Sequence, residues 1–319
     1  MTRMEQTVLP AVEITGHCNY IAAFLTMACP YRCSYCINTY ESPRRQGPLL
    51  GADAWIAALS RLVNLDKATG QVPVTLQGGE PSVHPGFYEI INGLPERIRI
   101  DVLTNLCFDV EEMIGRVKPE RLRREAPYAS IRVSYHPSEV SLDELLGKTH
   151  RLLEAGFHVG IWAVLVPGEE EPILAAQERG RREGIDFRTK EFLGFHGGQL
   201  YGQYDDEGAV RMEQRRRVMC STSELLMGPD GSVYRCHRDL YAGEGAIGNI
   251  LDPSFEMSEE YRLCEHYGHC NPCDRKVKTN RRQEFGHVAV RSRFVAAGAC
   301  TGESQVGQGM SQAKTCCDD

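Results

Sequence analysis

The sequence of 319 residues has no apolar run approaching the roughly 20 residues that a membrane-spanning helix needs. No membrane role is therefore expected. Its first nine residues carry Glu5 and no continuous apolar core, so they do not read as an export signal. Basic residues are outnumbered, 36 Lys and Arg against 43 Asp and Glu, and the net charge of −7 argues against general nucleic-acid binding. No internal repeat is visible. What remains is ordinary: 42% hydrophobic and 25% charged residues, as in globular proteins. The length suits one large α/β domain with a smaller appendage, and the expected compartment is cytoplasmic.

Against that plain background, thirteen cysteines are many. In a long chain without an export signal they point to metal rather than to disulfides. Their distribution is uneven. Cys29, Cys33 and Cys36 form one group; Cys220, Cys236, Cys264, Cys270 and Cys273 form another. Cys18, Cys107, Cys300, Cys316 and Cys317 stand outside both, and the last three have no assigned role.

Strand-like segments at 21–27, 72–77, 98–103, 130–134, 158–166 and 185–192 alternate with helical patterns. Trp55, Ile56, Leu59, Leu62 and Val63 share one helical face, with Gly70 as the stop. A second helix opens on the capping pair Ser141 and Glu144 and ends before Gly156. Single strands alternating with single helices imply right-handed βαβ units and a parallel sheet. The expected fold class is α/β, a partial (βα)6 barrel with functional groups at the strand ends. Residues 1–20 read as an N-terminal extension, 21–192 as the core and 193–219 as a linker. A small cysteine-rich unit follows at 220–282, opening on a hairpin turned by Gly228-Pro229-Asp230-Gly231. Residues 283–319 form a C-terminal segment whose composition beyond 296 suggests disorder.

The first cysteine group, Cys29-Pro-Tyr-Arg-Cys33-Ser-Tyr-Cys36, follows directly on the first strand. Three thiolates on one loop hold three irons of a cubane and leave the fourth iron open to substrate. Zinc is the alternative, but it needs a fourth ligand, and no further His or Cys follows before His84.

This C-x3-C-x2-C triplet at the end of the first strand resembles the radical SAM superfamily, over residues 21–192. Gly78-Gly79-Glu80-Pro81, directly after the second strand, is similar to its GGE-type motif. The resemblance implies a [4Fe–4S] cluster on Cys29, Cys33 and Cys36, and S-adenosylmethionine bound beside it. Reductive cleavage would give a 5′-deoxyadenosyl radical, and a flavodoxin or ferredoxin is the implied reductant. Physically, the two glycines allow close backbone approach and Glu80 offers an acceptor for the cofactor's ammonium. The same resemblance implies cofactor contacts from Tyr35 to adenine and from Asn105 and Ser134 to the methionine or ribose part. Val164 and Val166 read as strand core, with a place at the adenine as the alternative.

The second cysteine group resembles the auxiliary-cluster region of SPASM or twitch members. The implied ligands of one auxiliary [4Fe–4S] cluster are Cys220, Cys236, Cys270 and Cys273, with Cys264 as the alternate. A structural zinc site is the competing reading. Among remaining residues, Cys107 is a weak candidate hydrogen-atom donor, and Tyr135 and His136 are weak candidates to face substrate. The arginine runs at 121–124, 215–217 and 275–282 read as solvated faces.

The leading expectation is oxidation of a small molecule, such as a sugar or aminocyclitol, with the auxiliary cluster taking an electron. Peptide modification is the second; only 28 residues precede Cys29, fewer than a leader-binding domain needs. Radical epimerisation is a third, and a non-catalytic iron–sulfur or zinc protein the fourth. No nucleic-acid partner is expected.

Overall fold

One strand and one helix alternate through the first two thirds of the chain in the computed structural model, which describes residues 9–40, 47–67, 70–211, 215–278 and 287–294. In chain order these are β1 (Tyr20–Thr26), α1 (Ala52–Ser60), β2 (Val74–Gly78), α2 (Phe87–Gly93), β3 (Ile100–Thr104) and α3 (Val110–Arg116). Then come β4 (Ile131–Tyr135), α4 (Leu142–Glu154), β5 (Val159–Leu165), α5 (Glu170–Arg182) and β6 (Asp186–Glu191). Every neighbouring pair from β1 to β6 is parallel, in the order β6-β5-β4-β3-β2-β1. The expected partial (βα)6 barrel is the observed architecture.

Strands β1 to β5 are largely buried on both faces, whereas β6 at the sheet edge buries only Phe187. In β1, Ile21, Ala23 and Leu25 face a core shared with Trp55, Leu59, Ile91 and Leu145 of the helices. Ala22 and Phe24 point the other way, into a second cluster with Leu226, Leu240 and Tyr241. Period-two alternation thus gives β1 a helix side and an inner side. The capping expectation at α4 holds: the Glu144 backbone N–H donates to Ser141 Oγ at 3.2 Å, and Gly156 turns left-handed just beyond the helix end.

Two expectations need correction. The first helix stops at Ser60, and Leu62–Val63 form a short strand beside Val12–Glu13. Burying Leu62 there and turning Asn64 into the left-handed region replaces the extra helical turn. This pairing ties residues from the expected N-terminal extension to the core. Residues 193–206, expected as linker, contain an antiparallel pair, Gly194–His196 with Gln199–Tyr201, around Gly197 and Gly198 at positive φ.

The C-terminal third adds β7 (Arg216–Thr222), β8 (Glu224–Met227), β9 (Ser232–Tyr234), α6 (His237–Ala242) and β10 (Gly248–Asn249). β11 (Arg262–Tyr267), α7 (Pro272–Arg275) and β12 (Val290–Phe294) complete it. The expected hairpin is present: β8 and β9 pair antiparallel, with Gly231 at φ +81° in the turn. β8 also pairs in parallel with β1, so the barrel sheet runs on through β8, β9 and β10 to nine strands. A separate antiparallel sheet, β11-β7-β12, carries Cys220 and Cys264. Among the described residues no helix is long and apolar enough to cross a membrane. The expected tail, with Cys300, Cys316 and Cys317, lies outside the described residues.

Candidate functional site: two cysteine-lined cavities

The C-terminal ends of the six strands open on a cavity of about 300 Å³. Cys29, Cys33 and Cys36 line it, together with Gln77 and Gly78 of β2, Thr104 at the end of β3 and Asn105 just after it, Ser134 and His136 at β4, Val164 of β5 and Lys190 of β6. From the far side α6 and α7 contribute His237, Tyr241 and Cys273. α6 packs against the inner face of β1 through edge-on contacts of Phe24 with His237 and Tyr241.

The Gly-Gly pair has a measurable reason. A Cβ on Gly79 would lie 2.5 Å from the Met27 carbonyl oxygen and overlap that of Ala28. One on Gly78, at φ +154°, would overlap Thr26. The Gly79 and Glu80 N–H groups donate to the carbonyls of Thr26 and Ala28, both at 2.8 Å. The turn after β2 is therefore laid flat against the backbone that leads straight into Cys29.

Glu80 is 1% exposed, and its carboxylate is already engaged. Oε1 accepts from Ser82 N, Ser82 Oγ and Thr104 Oγ1, and Oε2 accepts from Asn105 N at 2.7 Å. Burial pushes its pKa above the usual carboxylate value despite these donors. The side chain clamps the β2 turn to the β3 end, with three donors on Oε1 and one on Oε2.

Asn105 sits at that clamp and its Nδ2 lies 3.5 Å from Cys29 Sγ. The next residue, Leu106, is fully buried at φ +54°, a strained backbone for a branched side chain. The cysteine loop is latched at several points. Tyr35 Oη bonds His136 Nδ1 at 3.0 Å, Arg32 N donates to Glu139, and Asn38 Nδ2 donates to the Gly78 carbonyl at 2.8 Å. Asn271, from the C-terminal third, donates to the Ile37 carbonyl at 3.1 Å. Burial first, with Lys190 assisting, lowers the His136 pKa to about 4, so the ring is neutral near pH 7. Burial also raises the Cys33 thiol, to about 12.

Of the sequence candidates, Tyr35, Gly78, Gly79, Asn105, Ser134, Val164 and His136 come together around this cavity with Glu80. Cys107 is not among the lining residues; its Sγ contacts Ser82 Oγ at 3.8 Å behind the Glu80 clamp. Tyr135 faces the opposite way, edge-on to Phe187 in the helix-side core, because strand alternation sends it opposite to Ser134. Val166 is buried and does not line the cavity. Missed from the sequence were Gln77, Lys190, His237, Tyr241, Lys276 and Lys278. For Gln77 and Lys190 the only signal was a strand-end position. For the others there was none, since they arrive from a different part of the chain.

A second, smaller cavity of about 20 Å³ lies in the C-terminal third. Cys220, Cys236, Cys264 and Cys270 line it, with Arg235, Arg238 and Asp274. Cys220 and Cys264 lie in one buried cluster, and their mutual interaction holds the Cys264 thiol below its usual pKa and Cys220 above it. Cys273, expected in this set, lines the larger cavity instead. Among the described residues no group of three His, Cys, Asp or Glu side chains is drawn together on one ion position, at either cysteine set. The donor type suits a cubane, which takes one thiolate at each iron. Arg235 Nε is buried without a hydrogen-bond partner beside the four thiols. Gln77 Nε2 is in the same condition beside the larger cavity. Both are donors awaiting an acceptor.

No protein-family model matches the chain. Over 70 residues it is 40% identical to PqqA peptide cyclase of Methylorubrum populi, covering 22% of this chain and 17% of that protein. The same enzyme from Methylorubrum extorquens is 39% identical over 70 residues, with the same coverage. The match spans about one sixth of these relatives' own length. Among solved structures, anSMEcpe with bound AdoMet and Kp18Cys peptide gives a TM-score of 0.49 at 14% identity, over 76% of this chain and 78% of that one. BtrN in complex with AdoMet and 2-DOIA gives 0.37 at 14% identity, over 73% and 78%. The parallel half-barrel carries the cysteine triplet at its first strand end with the Gly-Gly-Glu-Pro turn packed against it, the arrangement that the resemblance to the radical SAM superfamily implies.

Proposed function

We propose that the larger cavity holds a [4Fe–4S] cluster on Cys29, Cys33 and Cys36 with S-adenosylmethionine beside it, and that the protein is a radical oxidoreductase. When bound, this pair supplies one chemical event: an electron splits the sulfonium C–S bond to methionine and a 5′-deoxyadenosyl radical. The cavity would admit a small substrate, such as a sugar or aminocyclitol, as the source of the hydrogen atom that this chemistry requires. The thiols of the second cavity would hold an auxiliary [4Fe–4S] cluster, which would supply an acceptor for the electron released when the substrate radical loses a proton and is oxidised. A flavodoxin or ferredoxin serves as reductant.

The observation that carries this reading is the union of three cysteines and the Gly78-Gly79 turn in one cavity at the strand ends. Within it the chain's own residues have distinct tasks. Gly78 and Gly79 let backbone carbonyls approach the cofactor's amino group. The His136 bond fixes the Tyr35 ring for the adenine. Asn105 donates toward Cys29 Sγ, a contact of the kind that tunes cluster potentials. Ser134 and Val164 wall the same space. The ten described cysteines are all unbridged, in keeping with a reducing, cytoplasmic setting.

A peptide substrate is the second reading, favoured by the similarity to PqqA peptide cyclase. The test is anaerobic reconstitution with iron and sulfide counts, then electron paramagnetic resonance of the dithionite-reduced protein with and without S-adenosylmethionine. About eight irons per chain, and a signal that changes on adding S-adenosylmethionine, are expected. Zinc without iron would sink the proposal.

A further inference from the structure

We propose that Cys264, rather than Cys273, completes the second set of cluster thiolates, leaving Cys273 as a free thiol that faces the substrate in the larger cavity. The inference rests on the two-cluster reading above. It begins with strand register. Val218 stands opposite Cys264 and Cys220 opposite Arg262, so Cys220 and Cys264 are diagonal neighbours on one face of the β7–β11 pair. Both belong to one buried cluster with Cys236, and Cys270 packs against it. Cys236, the N-cap of α6, and Cys270, just before α7, close the other sides of the same cavity.

The orphaned Arg235 Nε lies here too. Arg235 is 8% exposed, and its other nitrogens are occupied by the Leu263 carbonyl and Asp239. A buried donor without a partner points to an acceptor that arrives with a ligand, and cluster sulfur is such an acceptor.

Cys273 is kept out by the way α7 is tied. Asn271 accepts the Cys273 N–H at 2.9 Å and donates to the Ile37 carbonyl. Asp274 accepts from His237 N at 2.8 Å, from His237 Nδ1 at 2.9 Å and from Arg238 N at 3.2 Å. Arg275 is bound on its own side by Asp205 and the Val290 carbonyl. These bonds fix the rotation of one helical turn. Asp274 lines the second cavity and Cys273 the first, so α7 is the wall between them. Bringing Cys273 round to the other thiols would undo all three ties. In the larger cavity Cys273 shares its wall with Lys276 and Lys278, so it stands where a substrate would meet the C-terminal third.

Two measurements on the reconstituted chain test the assignment. The first uses a Cys29→Ala/Cys33→Ala/Cys36→Ala background, in which only the second site can hold iron. Adding Cys273→Ala should leave about four irons per chain, and adding Cys264→Ala should remove them. Any other pattern overturns the assignment. The second guards against a variant that fails to fold: the unmutated, iron-loaded chain is treated anaerobically with iodoacetamide and mapped by mass spectrometry. Cys273 should be alkylated and Cys264 protected; protection of Cys273 or labelling of Cys264 overturns the proposal. If the unmutated chain takes up no iron, the two-cluster reading itself falls and this one with it. Eight irons with the opposite thiol pattern would leave that reading intact and remove only this one.

Discussion

Replacing Gly79 with Ala tests the reasoning at its tightest point. The new Cβ would stand 2.5 Å from the Met27 carbonyl oxygen and closer still to that of Ala28, both backbone atoms that no rotamer change can move. Overpacking of this kind costs about 1–3 kcal/mol. The relief available is to lift the β2 turn off the β1 end, which strains the Gly79–Thr26 and Glu80–Ala28 hydrogen bonds. Each contributes about 1 kcal/mol. A loss on the order of 3 kcal/mol corresponds to a fall in Tm on the order of 10 °C for a chain of this size. Thermal melts by circular dichroism of Gly79→Ala and of Gly147→Ala, side by side, read the effect. Gly147 is exposed on α4, and an added Cβ there would meet nothing within 4 Å, so its variant should gain about 1 kcal/mol from helix propensity. Because the turn abuts the backbone before Cys29, Gly79→Ala should also lower iron uptake at the first site. A Gly79→Ala protein that melts with the parent and loads iron fully would refute the close-approach argument.

Other consequences follow from the buried polar groups. His136 is held neutral with its pKa near 4, so the unfolded chain takes up a proton first as pH falls. Stability from this group is full above about pH 6.5 and is lost toward pH 4, by a few kcal/mol. The pH dependence of Tm should flatten across that window in His136→Phe; an unchanged slope would contradict it. Asp101 pairs with Arg124, with N–O distances of 2.5 and 2.8 Å, and lies 3.6 Å from Arg132, all inside the barrel. Asp101→Asn should therefore cost about 3–5 kcal/mol in urea unfolding, since it strands buried cations. Glu80→Gln presents an NH2 group to donors that now meet a carboxylate. It should destabilise by about 1–3 kcal/mol in the same assay and weaken S-adenosylmethionine binding by displacing Asn105. Neither change would be expected if Glu80 were a surface turn residue.

Much of this was legible in the chain because it depends on local pattern. The six core strands fall within two residues of their expected positions at each end, since β-branched runs bounded by turns mark buried parallel strands. The triplet and the Gly-Gly-Glu-Pro turn were visible as spacings. What was not legible depends on long-range placement. Nothing local says that Thr104 and Ser82 claim the Glu80 carboxylate, or that residues 224–227 extend the barrel sheet beside β1. The second thiol set is the clearest case. Spacing pairs Cys270 with Cys273, whereas the ties of Asn271, Asp274 and Arg275 turn them toward different cavities. His237 and Tyr241 reach the main cavity only because α6 packs on Phe24.

The most direct test of the central claim is a nucleoside assay. Reconstituted protein is incubated anaerobically with dithionite and S-adenosylmethionine, and 5′-deoxyadenosine is quantified by chromatography. The account predicts its formation by the parent chain and its loss in Cys29→Ala, Cys33→Ala and Cys36→Ala. No nucleoside from an iron-loaded parent, or equal amounts from the triplet variants, would contradict it.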